Sequence, residues 1–333
     1  LAKNLEILNS GINPLTHFVL EGVGNNQSPH PLIDSVFYAR THPDVLIDLN
    51  QSPLHHFFYY GFKEKRQTHA LVNFKYYLAH NPDVAESGVN PLIHFLDEGA
   101  YQGRNPHRLF DCEYYLGFNP EVAQAGVNPL VHFLDEGAYQ GRNPHRLFDC
   151  EYYLAHNPDV AESGVNPLIH FLDEGAYQGR NPHRLFDCEY YLAHNPDVAE
   201  SGVNPLIHFL DTGAYQGRNP HRLFDCEYYL AHNPDVAESG VNPLIHFLDE
   251  GAYQGASPHR LFDCEYYLAH NPDVAESGVN PLIHFLDEGA YQGASPHRLF
   301  DCEYYLAHNP DVAESGVNPL VHFLKLGIFE GRS

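Results

Sequence analysis

The sequence predicts an all-α protein: an α-solenoid of about eight to nine helical repeats of 38 residues, forming an elongated rod or a superhelix. Three observations favour this fold. One sequence recurs at a fixed interval, apolar residues inside each copy follow helical spacing, and proline and glycine delimit short segments without the alternation of strands. A period of roughly 20 to 50 residues is typical of stacked supersecondary units.

The cysteines give the period directly, because neighbouring cysteines are always 38 residues apart. The six are Cys112, Cys150, Cys188, Cys226, Cys264 and Cys302. An Asn-Pro-Leu tripeptide recurs with the same spacing from Pro91 to Pro319, and relatives of it precede these copies at Pro14 and Pro53. The period therefore covers nearly the whole chain.

The copies divide the chain into three parts. Residues 1–72 are degenerate N-terminal repeats, 73–316 are near-identical 38-residue repeats, and 317–333 form a degenerate C-terminal half-repeat. Terminal repeats of a solenoid diverge because they cover an apolar face that no further repeat buries. We expect both ends to act as caps, with a junction to a further unit as the alternative for 317–333.

The first helix of a repeat follows an aspartate. Asp149 is a favourable N-cap, and Phe148 and Tyr153 have the spacing of a hydrophobic staple. The helix is predicted from about Cys150 to about His156. Cys150 and Tyr153 lie on one face, which we expect to pack in the core.

Two prolines start the remaining helical segments of the same repeat. Proline suits the first helical position, because its missing N–H has no partner to lose there. Pro158 starts a short helical turn that ends at Gly164, and Pro167 starts a second main helix that continues to about Tyr177. Helices of this length are unstable alone in water, so stacking must stabilise them.

The composition excludes two classes of partner. The chain has 18 Lys plus Arg against 43 Asp plus Glu, a formal charge of −25, which repels nucleic acid and anionic membranes. No apolar run of about 18 residues exists, so no membrane insertion is expected.

The 25 histidines could cancel the charge on protonation. We therefore expect solubility to fall, or assembly to begin, between about pH 6 and pH 5.

The repeat also resembles a known one. Its strings are Phe-Asp-Cys-Glu-Tyr-Tyr-Leu-Ala-His-Asn-Pro-Asp-Val at 148–160, Asn-Pro-Leu-Ile-His-Phe-Leu at 166–172 and Gly-Ala-Tyr-Gln-Gly-Arg-Asn-Pro at 175–182. They are similar to a bacterial helical tandem repeat found in secreted haemolysin-type calcium-binding proteins and beside surface-polysaccharide glycosyltransferases. The resemblance covers about Asn13 to Arg332. It implies a bacterial origin and a secreted or cell-surface location, and it gives no catalytic residue to carry over to this chain.

One helix face carries weak candidates for a metal site. His170 is followed by Asp173 and Glu174 three and four residues later, and imidazole and carboxylate are ligand types for divalent metals. One helix face rarely supplies a closed tetrahedral site, however. The alternative is a structural hydrogen bond from the histidine to a loop of a neighbouring repeat. The equivalent histidines of other repeats are His208, His246 and His284.

The cysteine row permits three interpretations. Each thiol can be a small core residue, the row can form interchain disulfides with a partner in an oxidising compartment, or the thiolates can bind a metal. Neighbours within the chain are a whole repeat apart, which exceeds the roughly 7 Å between Cα atoms that a disulfide spans.

The histidines equivalent to His156 and His183 are expected at exposed turns. Tyr177 and its equivalents pack in the core, or stack on a sugar or another chain.

These observations favour a non-catalytic protein. An active site needs one asymmetric constellation of distinct residues, whereas this chain offers the same residues in every repeat. No catalytic or cofactor-binding residue is predicted, and weak binding of a divalent cation is the only cofactor expected. The first hypothesis is a stalk, fibre or assembly subunit that associates with itself or with another surface protein. The alternatives are a binding scaffold for a protein, peptide or glycan, and a metal-binding repeat protein.

Overall fold

A computed structural model describes Gly22, residues 28–46 and residues 52–332. These residues form helices and no β-strand, and the helices recur every 38 residues. The predicted all-α fold with 38-residue solenoid repeats is therefore confirmed. The Asn-Pro-Leu copy at Pro14 lies outside the described residues, as does part of the predicted N-terminal cap.

Each repeat begins with a seven-residue α-helix. These first helices are Ser35–Thr41, Phe74–His80, Cys112–Phe118, Cys150–His156, Cys188–His194, Cys226–His232, Cys264–His270 and Cys302–His308. The predicted N-cap is confirmed, because the Asp149 side chain accepts a hydrogen bond from the Tyr152 amide. The staple is also formed, with the Phe148 and Tyr153 ring centroids 5.4 Å apart.

A short second helix follows after one residue. The second helices are Pro43–Leu46, Pro82–Ser87, Pro120–Gln124, Pro158–Ser163, Pro196–Ser201, Pro234–Ser239, Pro272–Ser277 and Pro310–Ser315. The first of them is a 3₁₀-helix and the others are α-helices. The glycine that ends the predicted turn, Gly164, has a φ of 68°, a left-handed conformation in which glycine carries no steric penalty.

The third helix starts at the second proline. The third helices are Pro53–His56, Pro91–Asp97, Pro129–Asp135, Pro167–His170, Pro205–His208, Pro243–Asp249, Pro281–His284 and Pro319–His322. Asn166 caps its helix, because its side chain accepts hydrogen bonds from the amides of Leu168 and Ile169 at 3.1 and 3.2 Å.

The end of the third helix differs from the prediction of one α-helix as far as Tyr177. The chain continues as π-helix at Phe57–Gly61, Phe171–Gly175, Phe209–Gly213, Phe285–Gly289 and Phe323–Gly327, and as 3₁₀-helix at Gly99–Gln102, Gly137–Gln140, Ala214–Gln216 and Gly251–Gln254. A last α-helical turn is Ile328–Glu330. A tyrosine of the first helix packs against the backbone at this point, and regular helices change their winding where a side chain inserts.

That tyrosine explains an obligatory glycine. A Cβ atom added to Gly175 would overlap the hydroxyl oxygen of Tyr153, and the same clash would occur at the equivalent glycines. Tyr153 is fully buried, with Phe171 packed edge-on against it at 5.9 Å between ring centroids. The first and third helices of a repeat can therefore approach closely only where glycine leaves room for the tyrosine.

The described chain contains two compact units. The first comprises the described residues up to His145 together with 163–169, and the second comprises 146–162 and 170–332. In the second unit, the Asp187 amide donates to the Pro220 carbonyl, in the loop at the end of the same repeat, at 3.0 Å.

The second unit also contains contacts across several repeats. Arg146 Nε lies 2.6 Å from Asp249 Oδ2, and Arg184 makes the same ion pair with Asp287 one period later. The two residues of each pair are separated by 103 positions, which is nearly three repeats. Within this unit the stack of repeats is therefore coiled and not straight.

The glycine requirement gives a test within a single repeat. Gly137→Ala should destabilise the protein by about 1–3 kcal/mol, because its Cβ would collide with the Tyr115 hydroxyl oxygen. Gly117→Ala is the matched control, since nothing lies within 4 Å of a Cβ there and alanine stabilises a helix interior by up to about 1 kcal/mol. Urea denaturation followed by circular dichroism measures both, and equal effects of the two substitutions would contradict the packing argument.

Candidate functional site

The histidine that the sequence offered as a metal ligand makes a hydrogen bond inside its own repeat. His170 Nδ1 lies 2.8 Å from the Tyr153 hydroxyl, which joins the third helix to the first. The same pair occurs as Tyr38–His56, Tyr77–His94, Tyr115–His132, Tyr191–His208, Tyr229–His246, Tyr267–His284 and Tyr305–His322. We expected a loop of a neighbouring repeat as the partner, and this was wrong, because the partner is a tyrosine of the same repeat. The histidine does make a hydrogen bond that joins two helices, as the structural alternative expected.

The metal hypothesis stays a prediction. One ring nitrogen of His170 is engaged by Tyr153, and Asp173 and Glu174 lie exposed on the following π-helix. Burial lowers the pKa of His170, which keeps its imidazole neutral, the form that binds metals. Among the residues that the structure describes, no three His, Cys, Asp or Glu side chains are grouped closely enough to hold an ion.

The histidine of the linking loop is buried, which corrects the prediction of an exposed turn. His183 is only 6% exposed. Its Nδ1 accepts a hydrogen bond from the Leu185 amide at 3.1 Å, so the neutral ring fits and a protonated one loses this bond. The sequence Pro-His-Arg-Leu looks polar, and nothing in its composition signals that the ring folds back onto its own loop.

Burial lowers the pKa of His183 to about 4. Asp149 opposes this shift, whereas the positive charge of Arg184 and the next buried histidine, His221, reinforce it. The pKa is about 4 for the same reason at His107, His183, His221 and His259. These rings stay neutral between pH 6 and pH 5, so the expectation that all histidines cancel the charge in that range is wrong for the folded state.

The first-helix histidines do lie on the surface, as predicted. His156 is exposed and its ring lies over Tyr152, with the centroids 4.0 Å apart. Its Nδ1 donates to the Tyr152 carbonyl at 2.8 Å. This hydrogen bond uses Nδ1 and not Nε2.

All six cysteines are buried and unbridged. Each of them is 0% exposed, from Cys112 to Cys302. Burial raises the pKa of each thiol far above its usual range, so the reactive thiolate is rare. The amide of Cys188 is bonded to the Asn181 side chain at 2.9 Å. These features favour the core interpretation, since an interchain disulfide would first require the repeat to open.

Two arginines of the repeat that contains Cys150 form contacts that the sequence alone did not reveal. Arg180 pairs with Asp159 of the second helix at 2.8 Å and also donates to Asn157 at 3.0 Å. This ion pair holds the pKa of the exposed Asp159 below its usual range. Arg184 pairs with Asp149, the N-cap of the first helix, and its guanidinium lies 4.9 Å from the Tyr152 ring centroid.

One aromatic row faces solvent. The tyrosine that follows the buried alanine of each repeat is 51–53% exposed, and the row comprises Tyr101, Tyr139, Tyr177, Tyr215, Tyr253 and Tyr291. The exposed valines that precede each third helix form a second row, Val89, Val127, Val165, Val203, Val241, Val279 and Val317, at 40–44% exposure. The sequence left Tyr177 open between core and surface, and the structure places its ring at the surface.

Comparisons with protein-family models, with curated proteins and with solved structures give no match to this chain. The function must therefore be argued from the residues themselves. No helix of the described residues has both the length and the apolar character to cross a membrane.

The buried histidines predict acid lability. An unfolded chain titrates its histidines near pH 6.5, whereas His183 and its equivalents titrate near pH 4 when folded, so the unfolded state binds more protons below pH 6.5. Their contribution to stability is complete above that pH and is lost as the pH falls towards 4. The loss is about 2 kcal/mol per buried histidine at pH 5.

Asparagine tests this explanation, because its Oδ1 can accept the Leu185 amide hydrogen bond and does not titrate. The variant H107N/H183N/H221N/H259N should unfold at a lower pH than the parent, as followed by circular dichroism. The exposed set H156N/H194N/H232N/H270N is the control and should leave the acid midpoint unchanged. Identical midpoints for all three proteins would exclude the buried histidines as the cause.

Proposed function

We propose that this chain is a non-catalytic structural repeat protein, secreted or located at a bacterial cell surface, which assembles through its periodic faces. The observation that supports this most is the row of tyrosines equivalent to Tyr177. The same residue recurs every 38 positions at nearly the same exposure, from 51% to 53%. A partner that recognises the surroundings of one of these tyrosines finds the same surroundings again in the next repeat of the same unit.

The chemistry inside the repeat supports a structural role. Tyrosine and histidine bond to each other, each thiol is buried, and Arg180 and Arg184 are paired with carboxylates. The residue types that usually carry catalysis are thus occupied in joining helices. A catalytic site also needs an asymmetric set of residues, which near-identical repeats do not supply.

The exposed tyrosines suit contact with another chain. A tyrosine ring offers a large apolar surface and a polar tip, and such residues are enriched at protein interfaces. A row on one chain and a row on a second copy have equal spacing, so one matched contact sets the register for the others. A second copy of this chain is therefore the preferred partner, and a different surface protein is the second choice.

A binding scaffold is the second candidate function, because an exposed aromatic ring also stacks on sugars. A protein, peptide or glycan ligand would then occupy the row in place of a second copy. The metal-binding alternative rests on the His170 face, to which the described residues add no third ligand.

The tyrosine row can be removed as a set. Replacing Tyr101, Tyr139, Tyr177, Tyr215, Tyr253 and Tyr291 by serine should abolish concentration-dependent association in sedimentation velocity and the corresponding assemblies in electron microscopy. Self-association through an aromatic row depends on these rings, and their half-exposed positions make the fold tolerant of the change.

The valine row supplies the matched control. Serine at Val89, Val127, Val165, Val203, Val241 and Val279 removes as many exposed apolar side chains from a different position in each repeat and should leave association intact. A parent protein that stays monomeric at the highest attainable concentration would contradict assembly. Association that survives the tyrosine substitutions would contradict the role of this row.

A further inference from the structure

One place in the second compact unit breaks the pattern of ion pairs between distant repeats. Arg146 pairs with Asp249, and Arg184 pairs with Asp287. The next arginine in this series is Arg222, and the residue 38 positions after Asp287 is Lys325. A lysine therefore stands where the two preceding copies have the aspartate that neutralises the arginine.

The residues around this position form a cleft of about 290 Å³. It is lined by Tyr190, His194, Arg222, Leu324, Lys325 and Phe329. Its volume is near the lower end of the range for small-molecule sites, about 300–1,000 Å³. The equivalent residues one repeat earlier contain the Arg184–Asp287 ion pair, which satisfies the cation there.

The lining of this cleft contains two cations, Arg222 and Lys325, and no carboxylate. Arg222 forms one ion pair, with 3.0 Å between its Nη1 and Asp187 Oδ2. Lys325 has no ion-pair partner among the described residues. The acidic pair Asp287 and Glu288 of the preceding copy is replaced here by Lys325 and leucine. On a chain of net charge −25, this local excess of positive charge attracts an anion.

The remaining side chains provide an aromatic wall. The Arg222 guanidinium lies 4.6 Å from the Tyr190 ring centroid, and the tilted His194 ring has its centroid 4.0 Å from the same point. His194 donates its Nδ1 proton to the Tyr190 carbonyl at 2.8 Å, so its Nε2 can serve a ligand. Phe329 is 84% exposed, which leaves its ring available to cover a bound molecule.

We propose that this cleft binds an acidic sugar residue, with the carboxylate held by Arg222 and Lys325 and the ring placed against the exposed Phe329. The planar guanidinium matches the two oxygens of a carboxylate, and the ammonium adds a second charge. Aromatic faces accept the apolar side of a sugar ring, which inorganic anions lack. This site is unique in the described repeats of the second unit and does not depend on the proposed assembly.

Isothermal titration of the full chain at low ionic strength tests the proposal with glucuronate, glucose and inorganic phosphate. Glucuronate should bind at one site, glucose should not bind, and phosphate should bind at least tenfold more weakly than glucuronate. Equal binding of phosphate and glucuronate would overturn the sugar assignment, since the wall would then contribute nothing. Binding of glucose as tight as that of glucuronate would overturn the role of the cations.

Two variants locate the binding to this cleft. K325D restores the residue type of the preceding repeats, so it should fold normally and weaken glucuronate binding at least tenfold. K75D makes the same charge change on an exposed helix of the first unit and should have no effect. F329A, at an exposed side chain, should remove the preference for glucuronate over phosphate. Unchanged binding by K325D would overturn the proposal.

Discussion

Every described repeat depends on one buried contact, in which a tyrosine hydroxyl reaches a histidine across a glycine. Tyr153, His170 and Gly175 are the example, and the tyrosine–histidine bond is 2.8 Å long. The first and third helices have seven and four residues, too few to be stable alone. The contact fixes the distance between the first and third helices and buries an aromatic ring. The tyrosine needs room at the glycine, which explains why the third helix does not continue as α-helix.

Variation between repeats is confined to positions that this contact does not involve. Ala256 and Ser257 replace Arg180 and Asn181, which removes an ion pair that lies at the surface. The serine hydroxyl then accepts the Cys264 amide at 3.3 Å, where Asn181 accepts the Cys188 amide at 2.9 Å. Surface ion pairs contribute little to stability, so a repeat can lose one and keep its fold.

Local signals predicted the part of the structure that local interactions determine. The period, the cap at Asp149 and the first helix from Cys150 to His156 were all legible in the sequence. The π-helix after His170 and the burial of His183 were not, because both depend on contacts made through space. The ion pairs between residues 103 positions apart could not be predicted either, because no pattern within one repeat specifies how strongly the stack coils. The cleft at Lys325 follows from that register and could be recognised only after it was known.

The same register makes the number of repeats matter in a way that nearest-neighbour stacking does not. An arginine and its distant aspartate lie in the first and the fourth of four successive repeats, as Arg146 and Asp249 do. An array of three repeats can form none of these pairs, and each repeat added after the fourth brings one more. Gain or loss of whole repeats by the gene would therefore change cohesion in two regimes, one below and one above a minimum length.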